Sequence, residues 1–213
     1  MKAWDDAWKT EAGRAYWSKP DPLVSELIPR WQRDGVRTVL DLGFGVGRHA
    51  ILCAAAGFEV YGLDSSPSGL DFASAWAERE GVQVLLQTGD MAALPFVDGF
   101  FDLILTWNVI YHGTAEVIRR TVAEIERCLA PGGALLCTLI STRHHHHGRG
   151  TEIEPGTFVV PGETEKSHPH HYFDRAEIDR YLPAFDLVRC EDVEQDGPGG
   201  YHWQVLARLR DNG

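Results

Sequence analysis

The residues whose types and spacing point to chemistry begin at Asp41, which ends the apolar run Thr38-Val39-Leu40 and is followed by Gly43, Gly45 and Gly47 at alternate positions. Arg48-His49-Ala50-Ile51-Leu52 then opens an alanine-rich amphipathic segment, so the stretch reads as strand, tight turn and helix. Side chains at the three glycines would hold a ligand away from the backbone, and glycine allows the positive φ that such turns often need. The spacing narrows the ligand. A dinucleotide turn has the order G-x-G-x-x-G with the pyrophosphate on the helix N-terminus, whereas Asp-x-Gly-x-Gly-x-Gly puts a carboxylate at the strand end. That acid suits a cationic ammonium and repels a diphosphate. Downstream, Phe58-Glu59-Val60-Tyr61-Gly62-Leu63 ends in Asp64, placed to accept hydrogen bonds from two ribose hydroxyls, with Ser65 beside it.

In this order the residues resemble motif I and the ribose-binding acid of the class I S-adenosylmethionine-dependent methyltransferases. Two later stretches extend the resemblance. Thr88-Gly89-Asp90-Met91-Ala92-Ala93-Leu94-Pro95-Phe96 is similar to the adenine-binding turn, and Leu129-Ala130-Pro131-Gly132-Gly133 before an apolar run is similar to the start of the fifth strand. The match spans roughly residues 36–140. It implies S-adenosylmethionine as cofactor, with Asp41 at its methionine end directly or through water and Asp64 with Ser65 at the ribose. It also implies Asp90 at the exocyclic amine, Met91 against the ring, and Gly43, Gly45, Gly47 and Asn108 around the ligand. Phe44 stands where the wider family frequently has cysteine, a position that mainly packs under the turn. Members acting on amino groups of bases or glutamine often carry Asn-Pro-Pro-Tyr after the fourth strand; this chain has Asn108-Val109-Ile110-Tyr111, which argues against those substrates. A narrower resemblance, to small bacterial enzymes near the tellurite-resistance methyltransferase, rests on Tyr16-Trp17, Gly45 to His49, Tyr111-His112, Glu152-Ile153-Glu154 and His170-His171-Tyr172-Phe173.

The acceptor side is less sharply written. The run Phe101 to Thr106 delivers Trp107 to His112 to the carboxyl edge of the sheet, where open α/β folds place their chemistry. His112 is the first candidate for a base or an acceptor contact, since histidine titrates near neutrality; a hydrogen-bonded structural histidine is the competing reading. Tyr111, Glu154, His170 and His171 are expected to contact the acceptor. His144 to His147 reads as a solvated loop tip, and His168-x-His170-His171 lacks the spacing of a zinc signature, so any metal is left open. Trp4 and Trp8 share a helical face, either as a helix docked on the domain or as a lid that excludes water, with Tyr16 and Trp17 the part expected over the cofactor.

These residues need an alternating scaffold. Asp21-Pro22 starts a helix with Val24, Ile28 and Trp31 on one face; Ser66-Pro67 starts another, and Thr114 caps a third bearing Ile118, Val122, Ile125 and Leu129. Strands are expected at 82–86 and 134–140. Asp174 with Glu177 forms a capping-box start, and strands at 185–193 and 201–209 finish the chain. The fold class is α/β: a Rossmann-like three-layer sandwich, its seven-stranded sheet mostly parallel with an antiparallel C-terminal edge hairpin. Within it, residues 1–35 form a helical lid or cap, 36–140 the cofactor-binding core, 141–173 a substrate-side insertion, and 174–213 a helix and hairpin completing the same domain.

At 213 residues and 44% hydrophobic content the chain can bury one sizeable core. With Lys plus Arg at 20 against 31 acids, the net charge is −11 and no basic run tracks phosphates, so nucleic acid is an unexpected partner. The absence of a long apolar stretch or a signal-like start favours no membrane and a cytoplasmic location. Cys53, Cys128, Cys137 and Cys190 are far apart and read as core residues of a reducing compartment. The expected function is methyl transfer from S-adenosylmethionine to a small-molecule acceptor by in-line displacement, in a monomer or homodimer. The alternative is a non-catalytic cofactor- or metal-binding protein using the histidine-rich loop. A nicotinamide dehydrogenase is disfavoured by the glycine spacing.

Overall fold

Each apolar run between the glycine and proline punctuation forms an element of the computed structural model, which describes residues 2–162, 167–195 and 197–210. The N-terminal part holds α1 (Lys2–Trp8), α2 (Glu11–Ala15), a 3-10 turn (Tyr16–Ser18) and α3 (Pro22–Arg33). The nucleotide-fold pattern follows as β1 (Thr38–Leu42), α4 (Arg48–Ala55), β2 (Glu59–Asp64), α5 (Pro67–Glu80), β3 (Leu85–Thr88), β4 (Phe101–Thr106), α6 (Ala115–Cys128) and β5 (Leu129–Ile140). Short strands β6 (Thr151–Glu154), β7 (Thr157–Val159) and β8 (His170–His171) precede α7 (Arg175–Tyr181), β9 (Phe185–Glu194) and β10 (Tyr201–Leu209). Helix starts are capped where the sequence signals them: Asp21 accepts from Leu23 N–H, Ser66 from Gly69 N–H and Thr114 from Val117 N–H, and Asp174 with Glu177 closes a capping box.

The seven-stranded sheet runs β3-β2-β1-β4-β5-β10-β9. Its first five strands are parallel, and β10 pairs antiparallel with both β5 and β9. Period-two alternation in β1 sends Val39 to one face, with α3 and α4, and Leu40 and Leu42 to the other, with α6 and α7. That makes three layers with an apolar core on each side of the sheet. The chain winds outward from β1 to β3, then returns to β4 on the other side of β1, and such a reversal opens a crevice at the carboxyl ends of the strands.

Four expectations change in detail. The third strand, expected at 82–86, forms over Leu85–Thr88, because α5 ends on a left-handed Gly81 and pairing with Tyr61–Asp64 sets where the strand begins. The fifth strand starts at Leu129 and carries Pro131-Gly132-Gly133 within it, with a register shift opposite Phe101/Leu103. Residues 141–173, which show no periodicity, hold an antiparallel sheet β6-β7-β8 whose strands are two to four residues long, too short for an alternation to register. Phe173 N–H donates to Ile140 O and Thr142 N–H to Phe173 O, so this insertion is pinned to the end of β5. The four-histidine run is not all solvated tip: His144 is buried, its ring facing Tyr172 and His202, while His145 and His147 are exposed. Among the described residues, no helix is long and apolar enough to cross a membrane.

Candidate functional site

The carboxyl ends of four adjacent strands border a cavity of about 530 Å³, within the size range of small-ligand sites. Sheet order lays its polar groups out in a row: Asp90 and Met91 after β3, Asp64 and Ser65 at the end of β2, Asp41 in β1, Asn108 and His112 after β4. Gly43 and Gly45 line the same space. The glycines also answer to the protein itself. Gly43 and Gly47 have φ of +75° and +89°; a Cβ at Gly43 would run into Val109, and one at Gly47 would lie 2.7 Å from the Ala73 Cβ of α5. Side chains are therefore excluded by the fold before any ligand arrives.

Two carboxylates dominate the cavity electrically. Asp41 is buried, its Oδ2 accepting the Ala50 N–H at 2.9 Å. Burial pushes its carboxyl up to about 7, with the charge of Asp64 adding to the rise and the Ala50 N–H and Arg48 opposing it. Asp64 accepts Gly45 N–H through Oδ2 and Ser66 N–H through Oδ1, both at 2.8 Å, so the glycine turn is tied to the end of β2. Burial raises its pKa as well, against the pull of those two N–H groups. A pair of desolvated acids in a cavity walled by aromatics favours a cationic ligand. Asp90, more exposed, accepts Ala92 N–H through Oδ1.

The N-terminal helix closes the top. Asp5 Oδ1 accepts Ser66 Oγ–H and Ser68 N–H, both at 2.9 Å, and these bonds, with Lys9 at 2.9 Å, hold its carboxyl well below the usual range. That docks α1 on the first turn of α5. Trp4 and Trp8 stack at 5.1 Å, and Trp17 meets them edge-on at 5.7 and 6.2 Å; all three line the cavity. From below, Arg48 lies over the Trp17 ring and donates to Lys19 O, while His49 Nε2 accepts the Asp21 N–H at 3.1 Å. Burial keeps His49 neutral, its pKa well below the ordinary value. Arg48 and His49 thus fasten the N-terminal segment to the turn that follows β1.

Beyond β4, Asn108 is the one non-glycine residue with positive φ among the described residues, at 59°, a conformation asparagine tolerates better than most. Its Oδ1 accepts from Thr138 and Gln195, its N–H donates to Thr138 Oγ1 at 2.7 Å, and its carbonyl accepts His112 Nε2–H at 3.0 Å. With Nε2 donating, Nδ1 of His112 is the acceptor, and it meets His168 Nε2 at 2.8 Å.

The structure gathers most of the residues singled out in the sequence around one cavity: Asp41, Gly43, Gly45, Asp64, Ser65, Asp90, Met91, Asn108, His112 and Trp17 line it, and Gly47 shapes the turn beneath. It separates the others. Tyr16 points outward, 55% exposed, with its ring edge-on to Trp17. Tyr111 is buried behind His112, ring centroids 4.4 Å apart, with its hydroxyl toward His202. Glu154 turns to α6, accepting Ala115 N–H and Thr157 Oγ–H, a carboxylate at a helix N-terminus. His171 is buried between Thr157 and α7, its Nδ1 2.7 Å from Thr157 Oγ1, and burial lowers its pKa. Tyr111, Glu154 and His171 shape the insertion and its seat, and Tyr16 the outer face of the N-terminal segment, rather than the cavity wall. His170 lies between the groups, buried, its ring edge-on to His112 at 4.5 Å. Trp4 and Trp8 carried their signal in the i, i+4 spacing, but Val117, His168 and Pro169 reach the wall through tertiary packing alone.

Residues 39–133 match a family described as a methyltransferase domain. Demethylmenaquinone methyltransferase of Thermus thermophilus is 36% identical over 117 residues, covering 50% of this chain and 52% of that protein. The chain spans about half the length of the curated relatives it matches. Among solved structures, the 1,6-didemethyltoxoflavin-N1-methyltransferase of Burkholderia thailandensis, with 1,6-didemethyltoxoflavin and S-adenosylhomocysteine bound, superposes with a TM-score of 0.73 at 20% identity, over 98% of this chain and 87% of that one. TehB of Haemophilus influenzae superposes at 0.64 and 17% identity, over 87% and 62%. At these identities the structural likeness is one of fold.

Proposed function

We propose, starting from a chain that carries the methyltransferase domain of the class I S-adenosylmethionine-dependent family, that this protein moves a methyl group from S-adenosylmethionine to a small-molecule acceptor. One observation carries the reading: Asp41, buried, and Asp64, half-buried, both with carboxyls raised in pKa by desolvation, share an aromatic-roofed cavity at the switch point of the sheet, a setting for a ligand that brings its own positive charge. The donor set fits that cofactor. Asp41 takes the methionine ammonium, Asp64 the ribose hydroxyls, and Asp90 with Met91 the adenine, in the order in which β1, β2 and β3 present them.

When bound, the cofactor supplies an activated methyl on a sulfonium, and transfer is an in-line displacement. The chain's own residues align and desolvate. Gly43 and Gly45 let the ligand approach the backbone, Asn108 fixes the loop after β4, and Trp4, Trp8 and Trp17 exclude water. Residues 1–35 act as the lid and 141–173 as the wall on the acceptor side. Because the cofactor occupies the ends of β3 to β1, the acceptor sits beyond β1, beside β4, where His112 stands.

Calorimetric titration with S-adenosylmethionine and S-adenosylhomocysteine, with NAD as control, tests the cofactor. Binding of the first two and not of NAD is expected; no binding of either removes the proposal. His112→Ala is expected to keep that affinity while slowing S-adenosylhomocysteine production from an accepted substrate, and unchanged turnover removes His112 from the acceptor side.

A further inference from the structure

The histidines at the acceptor end converge from two parts of the chain. One ring nitrogen each of His112, His168 and His170 lies within 4.8 Å of the other two. Two of the rings are held by their far nitrogens: His112 donates Nε2–H to Asn108 O at 3.0 Å, and His170 donates Nδ1–H to His168 O at 2.9 Å. Each bond fixes a tautomer, which leaves the lone pair of His112 on Nδ1, facing His168, and that of His170 on Nε2, the arrangement in which backbone carbonyls orient metal-binding imidazoles. His168 Nε2 approaches His112 Nδ1 at 2.8 Å, so a proton now sits where those two lone pairs would meet a cation. Zn–N bonds of about 2.0–2.1 Å set ligand nitrogens about 3.3 Å apart in a tetrahedron, within reach of small ring movements. His112 and His168 both line the cavity.

We propose that His112, His168 and His170 form a three-histidine site for a divalent cation of the zinc class, its fourth position open to the acceptor end of the cavity. Three protein ligands and one open position are the pattern of a catalytic rather than a structural site. The cation takes an ionisable heteroatom of the acceptor: X–H gives its proton to water and X⁻ binds. On transfer the X–CH3 bond forms as the S–CH3 bond breaks, leaving a neutral thioether, and the cation holds the anion in line. This role rests on the methyl-transfer reading; the site itself does not. The neighbouring run His144-His145-His146 is a poorer chelate, since its members are consecutive and His144 Nδ1 already accepts the His146 N–H at 3.1 Å.

The test uses metal-stripped full-length protein purified without a nickel column, titrated with Zn²⁺ against a chromogenic chelator and with Co²⁺ for its visible absorption. One equivalent of Zn²⁺ and a four-coordinate cobalt spectrum are expected. His168→Ala and His170→Ala should each weaken Zn²⁺ at least about tenfold while S-adenosylhomocysteine affinity is retained, which reports a folded cofactor pocket. His145→Ala with His147→Ala should change nothing. Stoichiometric Zn²⁺ binding that survives His168→Ala, or that is lost in the His145/His147 double variant, overturns the proposal. Zn²⁺ held by the three histidines in a protein that binds no S-adenosylhomocysteine supports the site and sinks the methyl-transfer reading alone.

Discussion

Replacing Asp41 by asparagine isolates the charge that the cavity is built around. The Asp41 carboxyl sits at about 7 against an ordinary 3.8, chiefly because it is buried. A cationic cofactor needs it ionised, so binding includes the work of removing its proton whenever the pH is below 7. At pH 5.5 about 3% of such a group is ionised and at pH 7.5 about 75%, so wild-type affinity for S-adenosylmethionine should rise about 25-fold between them, or about 1.9 kcal/mol. The Asp41→Asn variant can still accept the Ala50 N–H, has no carboxyl proton to lose, and should bind weakly with a flat profile over that range. Stability moves in the opposite sense. The folded chain keeps the Asp41 proton up to about 7 and the unfolded chain releases it near 3.8. The stabilising contribution is therefore complete below 3.8 and lost as pH rises through 7, by up to about 4 kcal/mol. Ligand-free Asp41→Asn should gain in Tm relative to wild type on going from pH 5 to pH 8. Calorimetric titration at the two pH values, with thermal melts of the ligand-free proteins, checks both. A wild-type affinity that changes less than about threefold between pH 5.5 and 7.5 would refute the assignment.

Asp64→Ala removes the proposed acceptor of the ribose hydroxyls, each bond worth about 1.5–3 kcal/mol, and should weaken cofactor binding at least tenfold in the same calorimeter. Gly43→Ala forces a side chain against Val109 at a φ of +75° and should cost about 1–3 kcal/mol in denaturant unfolding. Trp8→Ala removes one ring of the proposed lid: cofactor-induced quenching of tryptophan fluorescence should shrink, and the slow hydrolysis of bound cofactor should quicken. Glu154→Gln, facing α6 rather than the cavity, should lower Tm with little effect on KM for either ligand.

The half of the cavity proposed for the cofactor was legible as a row of groups because each is placed by one local rule: an acid at a strand end, a glycine where φ is positive, a cap at a helix start. Asp41, Asp64 and Asp90 are fixed by their own strands and turns, so sequence order is enough to put them in a row. The acceptor half obeys no such rule. Glu154, His171 and Tyr111 carry suitable chemistry, yet their directions depend on how a hairpin of two- to four-residue strands packs on α6 and α7. His168 reaches His112 across a separation of 56 residues, through an insertion whose course the periodicity does not record. The tryptophans fall between the cases: Trp4 and Trp8 show a helical face, but which surface that face meets is decided by Asp5 and the start of α5.

The roof of the cavity is made of the N-terminal turns, joined to the rest through Lys19 and Asp21 and resting on α5 through the Asp5 carboxylate, the Trp8 ring beside Gly69 and the Arg14 guanidinium over Phe72. On the proposed reading, the roof and the row of acids are separable parts of the molecule: changes near Asp5 are expected to alter how long product stays while leaving the acids at the strand ends in place.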